Sequence, residues 1–286
     1  MAKKKVRGKC IFCGEVGILT GEHVISHWCH KYLPPRSSGR YSSLRATAYR
    51  DRTDFVKVWR TGDIRDTKIY CVCGEKCNNG WMRRNVENPS IPTLKTLILG
   101  KTTRIFPHQQ RLIATWAVMK AMVAQYDESS HRTIHHTHRK YLMDHHSPPL
   151  KGWGVWIGHF SHHPKRLHPS PWVSTPFAVP SKHDPPRPRG YVPTHYNSAT
   201  FTQVIGQLFV RCIQTPFPNF VRRFRTPLLP NGGTLLRIWP PSEISIPWPQ
   251  HPLSDDDVHA ASWAVKDWYE RLAAASAPPP EGENSP

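Results

Sequence analysis

No stretch of this chain approaches the roughly 20 consecutive apolar residues that a membrane-crossing helix needs, and no internal repeat or coiled-coil heptad runs along it. An apolar leader is missing as well, since Met1-Ala-Lys-Lys-Lys-Val-Arg7 is basic and leads straight to Cys10. The expectation is a chain kept in a reducing cytoplasm, where closely spaced cysteines act as metal ligands rather than disulfides. Acidic residues are scarce: 20 Asp and Glu stand against 39 Lys and Arg, a formal charge of +19. Residues 251–286 hold two basic and seven acidic side chains, so the remainder carries 37 against 13, a net +24. An excess of that size favours a polyanionic partner and speeds its encounter by long-range attraction. At 286 residues the chain has length for a sizeable core and for one or two domains.

Against these absences stand seven cysteines, four of them in two short-spaced pairs: Cys10-x-x-Cys13 and Cys73-Gly-Glu-Lys-Cys77. Four thiolates in a tetrahedron satisfy zinc without a large surrounding core, and each pair reaches one ion because the chain turns back between its two members. Glycines beside the knuckles, Gly14 and Gly74, suit such turns. The reading is structural zinc at Cys10, Cys13, Cys73 and Cys77, with Cys71 the open alternative to Cys73. In an extended strand Cys71 and Cys73 fall on the same side, so direction alone does not choose between them.

Between the pairs lies Glu22-His23, and Asn78 directly follows the last cysteine. Cutting a phosphodiester needs water activated on one side and charge neutralised on the leaving side. Imidazole titrates near neutrality, so His23 is suited to take a proton from water. The Glu22 carboxylate and the Asn78 amide oxygen are hard ligands that suit Mg²⁺.

The segments Cys10-Ile-Phe-Cys13-Gly14, Leu19-Thr-Gly-Glu22-His23-Val24-Ile25 and Cys77-Asn78-Asn79-Gly80-Trp81-Met82 resemble the HNH endonuclease superfamily with its ββα-metal active site. The subtype they resemble is the four-cysteine zinc group of phage and bacterial proteins, which includes the phage junction-resolving nucleases. That resemblance covers about 10–88. It implies a metal-dependent DNA endonuclease with structural Zn²⁺, in which Glu22 and Asn78 hold a catalytic Mg²⁺ or Mn²⁺ while His23 activates water. It also places the chain in a bacterial or phage-infected cell, with phage or mobile-element ties. Two departures stand out: Cys73 and Cys77 are separated by three residues where two are usual, and Ser26 occupies a position where many relatives carry proline.

The fold expectation is α+β: a small zinc-stabilised ββα-metal unit over 1–92, a mixed helix and antiparallel-strand accessory domain over 93–274, and a disordered tail over 275–286. Strands are expected at Ile18–Ile25, Thr53–Trp59 and Thr67–Val72, with a mobile basic loop over 34–52. A short helix should open at Asn78 and stop at Pro89 and Pro92. Leu112, Trp116, Met119, Val123 and Tyr126 recur at helical spacing, one apolar face of a helix that begins after Pro107. Farther on, Tyr141–Asp144 reads as a short helix, and Trp153–His159, Phe201–Ile213 and Thr234–Trp239 as strands, with an irregular Pro-rich connection over 161–196. A last helix should start after Ser254, capped with the help of Asp257, and bury Val258, Ala261, Val265, Trp268 and Leu272.

Arg36, Arg40, Arg45, Arg83 and Arg84 near the motif, with Arg222, Arg223 and Arg225 beyond it, are the candidate phosphate contacts, since the guanidinium fork suits phosphate oxygens. The expected partner is DNA, with RNA and a homodimer left open and no membrane. His27 and His30, flanking Cys29, offer a lesser alternative zinc set. Two other readings keep the charge and the cysteines: a zinc-stabilised nucleic-acid-binding protein that does not cleave, and a protein-binding adaptor.

Overall fold

Two antiparallel strand pairs and one helix frame the cysteine motifs. In the computed structural model, strand β1 (Arg7–Lys9) turns through Cys10–Gly14 into β2 (Val16–His23). After a 3-10 turn over His27–Tyr32, β3 (Arg40–Tyr49) and β4 (Arg52–Thr61) form a separate two-stranded ribbon. Strand β5 (Lys68–Cys73) then pairs antiparallel with β2, giving a sheet of order β1-β2-β5. The described residues are 5–33, 40–49, 52–127, 132–163, 172–177, 179, 196–223 and 229–262, with the backbone alone for 40–49, 52–60 and 223. The loop expected over 34–52 is thus strand from Arg40 to Tyr49. Its alternation of Tyr41, Ser43, Arg45, Thr47 and Tyr49 with Ser42, Leu44, Ala46 and Ala48 is compatible with a pleated ribbon.

Directly from Cys73 the chain enters a helical segment, Gly74–Glu87, which kinks at Gly80 (φ −80°, ψ −119°) and then runs on into α1 (Asn88–Ile98). The expected stop at Pro89 and Pro92 does not occur. Ahead of Pro89 the Asn88 N–H bonds to the Arg83 carbonyl, five residues back, so the ladder is already opened to its wide form. Pro89 then sits in the first turn of α1, where its missing N–H leaves no partner unsatisfied.

After β6 (Thr103–Ile105) comes α2 (Pro107–Ala124), and every residue from Ile113 to Ala124 is buried. The sequence pattern foretold one apolar face, but α2 packs against α1, Gly74–Glu87 and β5 and also against the large sheet, so from Ile113 to Ala124 no face is left to solvent. Next come α3 (His136–His145) and β7 (Trp153–His159). Strand β8 (Trp172–Phe177) crosses the Pro-rich connection.

The stretch expected as one strand, Phe201–Ile213, is a hairpin of β9 (Ser198–Ile205) and β10 (Leu208–Gln214). Gly206 makes the turn at φ +55°, and a Cβ there would lie 2.6 Å from the Ile98 carbonyl oxygen. Short α4 (Pro218–Arg223) precedes β11 (Leu236–Trp239), which completes an antiparallel sheet of order β11-β7-β10-β9-β8. Strand β12 (Ile246–Trp248) pairs with β6.

The final helix starts as the sequence indicates. The Asp257 N–H donates to Ser254 Oγ at 3.2 Å, and the Ser254 N–H donates to Asp257 Oδ2 at 3.0 Å. Val258 and Ala261 are buried there; Val265, Trp268, Leu272 and the segment 275–286 lie outside the described residues. The architecture is mixed α+β. One continuous apolar core joins Cys10, Val24, Cys77 and Trp81 to Trp116, Trp153, Val210 and Trp248, drawing on residues on both sides of position 92.

Candidate metal and catalytic site

The first knuckle forms because Gly14, at φ +77°, returns its N–H to the Cys10 carbonyl (3.0 Å) while the Cys10 N–H bonds to Glu15 O (2.9 Å). Cys13 thereby faces back toward Cys10. The second pair is placed differently. Cys73 ends β5 and caps the helical segment, and Cys77 lies four residues on in its opening turn. Residues four apart in a helix share a face, so the three-residue spacing that departs from the usual pattern is absorbed by the start of the helix.

The Cys10 and Cys77 sulfurs are 3.7 Å apart, those of Cys13 and Cys73 are 3.6 Å apart, and all four lie within 4.8 Å of one another. A zinc tetrahedron with bonds of about 2.3 Å has an edge of about 3.8 Å, so the tetrad fits a structural Zn²⁺. The hydrogen bond between the two sulfurs of Cys10 and Cys77 pulls the Cys10 thiol down to about 4, favouring a thiolate within the tetrad.

Cys71 stays out of the tetrad. Thr20 faces Val72 and Gly21 faces Tyr70, so Cys71 is the extra residue in the β2–β5 register. The strand alternation that made Cys71 and Cys73 equivalent is broken at this point. Cys71 is buried in the core, and burial pushes its thiol up.

Glu22 and His23 end strand β2, and Asn78 lies in the opening turn of the helix. Asn78 Nδ2 donates to Thr20 Oγ1 at 3.1 Å, which ties the helix to the strand two residues before Glu22. Glu22 is buried and bonded through Oε1 to Lys120 Nζ. Lys120 has no exposed surface; its ammonium also donates to the His23 carbonyl at 3.0 Å and lies 3.6 Å from Glu87 Oε1. Burial disfavours that charge, but the carboxylates of Glu22 and Glu87 outweigh burial and hold the Lys120 pKa above its ordinary value.

Glu87 is held below the usual carboxylate range. Burial opposes this, and Lys120 together with the Ser26 hydroxyl overcomes it. Ser26 Oγ in turn accepts from Trp116 Nε1 at 3.3 Å, so Ser26 is part of a buried polar chain. His23 is pulled down to about 4, by burial first and then by the positive charges of Lys68 and Lys120. At neutral pH its imidazole is therefore neutral and retains a lone pair.

Sequence reasoning missed Lys120 and Glu87. The signal for Lys120 was present, because it is the one charged residue between Leu112 and Tyr126. Beside His23 stand His27 and His30, with ring centres 5.0–5.9 Å apart in the trio. Cys29, between the latter two, is buried in the core rather than turned toward them.

The candidate arginines do not form one described surface. Arg83 and Arg84 are exposed on the wide helical segment, and Arg222 is exposed on α4. Arg40 and Arg45 lie in β3 and Arg223 in α4, with the backbone alone described, while Arg36 and Arg225 lie outside the described residues. Several histidines of the 131–149 stretch have structural partners. His135 caps α3, His138 Nδ1 accepts from Trp153 Nε1 at 2.9 Å, and His146 stacks on Trp81 at 5.9 Å. No helix among the described residues is long and apolar enough to cross a membrane. No family model, curated protein or solved structure matches this chain.

Proposed function

We propose that this protein is a metal-dependent endonuclease of HNH type that hydrolyses phosphodiester bonds in DNA. The observation that carries the reading is the way two antiparallel strands and a helix meet at the thiol tetrad, with Glu22-His23 at one strand end and Asn78 hydrogen-bonded to Thr20 of the same strand. A zinc ion in the tetrad would pin Cys77, and with it Asn78, against that strand.

The neutral His23 imidazole accepts the proton of the attacking water. Lys120 holds Oε1 of Glu22, so Oε2 and the Asn78 amide oxygen are the atoms that would hold Mg²⁺ or Mn²⁺. That ion would supply charge neutralisation at the scissile phosphate and its leaving oxygen. Exposed Arg83 and Arg84, with Arg36, Arg40, Arg45, Arg222, Arg223 and Arg225, bind the backbone phosphates.

Incubating supercoiled plasmid, single strands, branched DNA and RNA with the protein in Mg²⁺ or EDTA tests the reading. Mg²⁺-dependent nicking is expected, and His23→Ala should bind DNA nearly normally yet cleave about 10²–10⁴-fold more slowly. Full cleavage by His23→Ala would remove His23 from this role. One observation favours a second reading, a zinc-stabilised DNA-binding protein without cleavage: a buried ammonium already neutralises Glu22, and the Asn78 amide is engaged through its NH₂. DNA binding with no cleavage of any of these substrates would select it.

A further inference from the structure

We infer a second metal site in this protein, formed by His23, His27 and His30, that takes one divalent transition-metal ion through imidazole nitrogens. It is distinct from the thiol tetrad and from the Glu22 and Asn78 oxygens. His27 and His30 lie three residues apart in the 3-10 turn His27–Tyr32, where side chains at that spacing stack above one another. His23, the last residue of β2, meets them from the strand side.

The ring centres are 5.5 Å apart for His23–His27, 5.9 Å for His23–His30 and 5.0 Å for His27–His30. Imidazoles bound at about 2.1 Å to one tetrahedral ion have ring centres about 5 Å apart, so the trio is spread nearly as a metal would hold it. Among the described residues the thiols are the group whose ligand atoms all lie within 4.8 Å of one another, so the imidazoles must still rotate to converge.

Two further observations point to a ligand. His30 Nδ1 lies 3.6 Å from Asp66 Oδ1, short of a hydrogen bond but close enough to put a carboxylate charge beside the ring. Its other nitrogen, Nε2, is buried and has no hydrogen-bond partner. The ammonium groups of Lys68 and Lys120, which depress the His23 pKa, oppose a cation here, and the carboxylates of Glu22, Glu87 and Asp66 offset them only in part. Three imidazoles select zinc, cobalt, nickel or copper over magnesium. Occupancy uses the His23 lone pair, so an ion here and a His23 that accepts protons exclude each other, and the site would silence cleavage rather than support it.

Zinc stoichiometry tests the inference without any substrate, so it stands apart from the nuclease reading. Full-length protein equilibrated with micromolar zinc and then assayed with a chromogenic chelator should hold two ions per chain. His27→Asn/His30→Asn should hold one, and Asp66→Asn should weaken the second ion about 10–100-fold. Should the double variant fold poorly by circular dichroism, His27→Asn alone carries the test, since His27 is exposed. One zinc in the unmodified protein, or two retained by a folded histidine variant, overturns the site. In a preparation that nicks plasmid in Mg²⁺, zinc sufficient to fill the second site should suppress nicking. Undiminished nicking at that zinc level overturns the silencing.

Discussion

Lys120 is the residue on which the site's electrostatics turn. Two carboxylates and a backbone carbonyl surround an ammonium with no exposed surface, and removing it leaves the buried Glu22 and the partly buried Glu87 without their shared counter-ion. Lys120→Ala should therefore cost about 3–5 kcal/mol, measured by urea unfolding. Lys120→Met together with Glu22→Gln and Glu87→Gln should recover much of that loss, because no unpaired charge then remains. The pH dependence comes from the same group of side chains. In the folded chain Glu87 is held below its ordinary value, which is about 4.3. Its contribution is complete above that value and is lost as pH falls through the lowered one. Lys120 is raised, so its contribution is complete below its ordinary value and is lost only on the alkaline side. Glu87→Gln should flatten the acid limb of a melting-temperature profile, and an unchanged limb would assign acid sensitivity to other carboxylates.

At the scale of elements, the cysteine knuckles and the β9–β10 turn each hang on one local geometry. Cys77 begins the helix and closes the tetrad, so Cys77→Ser should release zinc and destabilise the β2–β5–helix unit together, since site formation is coupled to folding. Cys71→Ser should keep its zinc, because Cys71 is the extra residue in the register and faces the core. Metal analysis of the two variants separates these outcomes. Gly206 joins β9 to β10 at φ +55° with Ile98 O close by, and Gln207 N–H bonds to that same carbonyl at 2.9 Å. Gly206→Ala should cost about 1–2 kcal/mol for the left-handed conformation alone, and more for the approach to Ile98. Thermal unfolding measures the sum, and a loss near zero would mean that the hairpin relaxes freely.

Across the whole molecule, the motif-bearing segment leans on elements from the C-terminal two thirds of the chain. Besides Lys120, the buried Gln203 of β9 donates to the Val24 carbonyl at 3.0 Å, and Arg139 of α3 donates to the Ile11 carbonyl at 3.1 Å. A fragment ending at residue 92 loses all three and exposes the apolar side that packs on α2. It should remain largely unfolded by circular dichroism even with zinc present, whereas a cooperative zinc-dependent melt would show that the unit folds alone. The basic excess acts at this scale too. Replacing Arg222, Arg223 and Arg225 by alanine should weaken binding to many DNA sequences alike and reduce the salt slope by about 0.9 per lost contact. An unchanged slope would make this cluster ordinary solvated surface.

Local rules were enough for much of this protein. Cysteine spacing marked the thiols that cluster, Ser254 and Asp257 marked the last helix's cap, and β-branched and aromatic runs marked β4, β5, β7 and β11. These features depend on contacts within a few residues, or on ligand chemistry that spacing alone reveals. Tertiary structure decided the rest. Whether Cys71 or Cys73 joins the tetrad depends on the β2–β5 register, a relation between segments about fifty residues apart in sequence. Whether α2 shows one face or none to water depends on how many elements close around it. Lys120 reads as a stray charge in an apolar helix until the fold brings Glu22 and Glu87 to it from 98 and 33 positions away. A buried charge is tolerable only once its partners have arrived, and periodicity within one helix carries no information about partners from other elements.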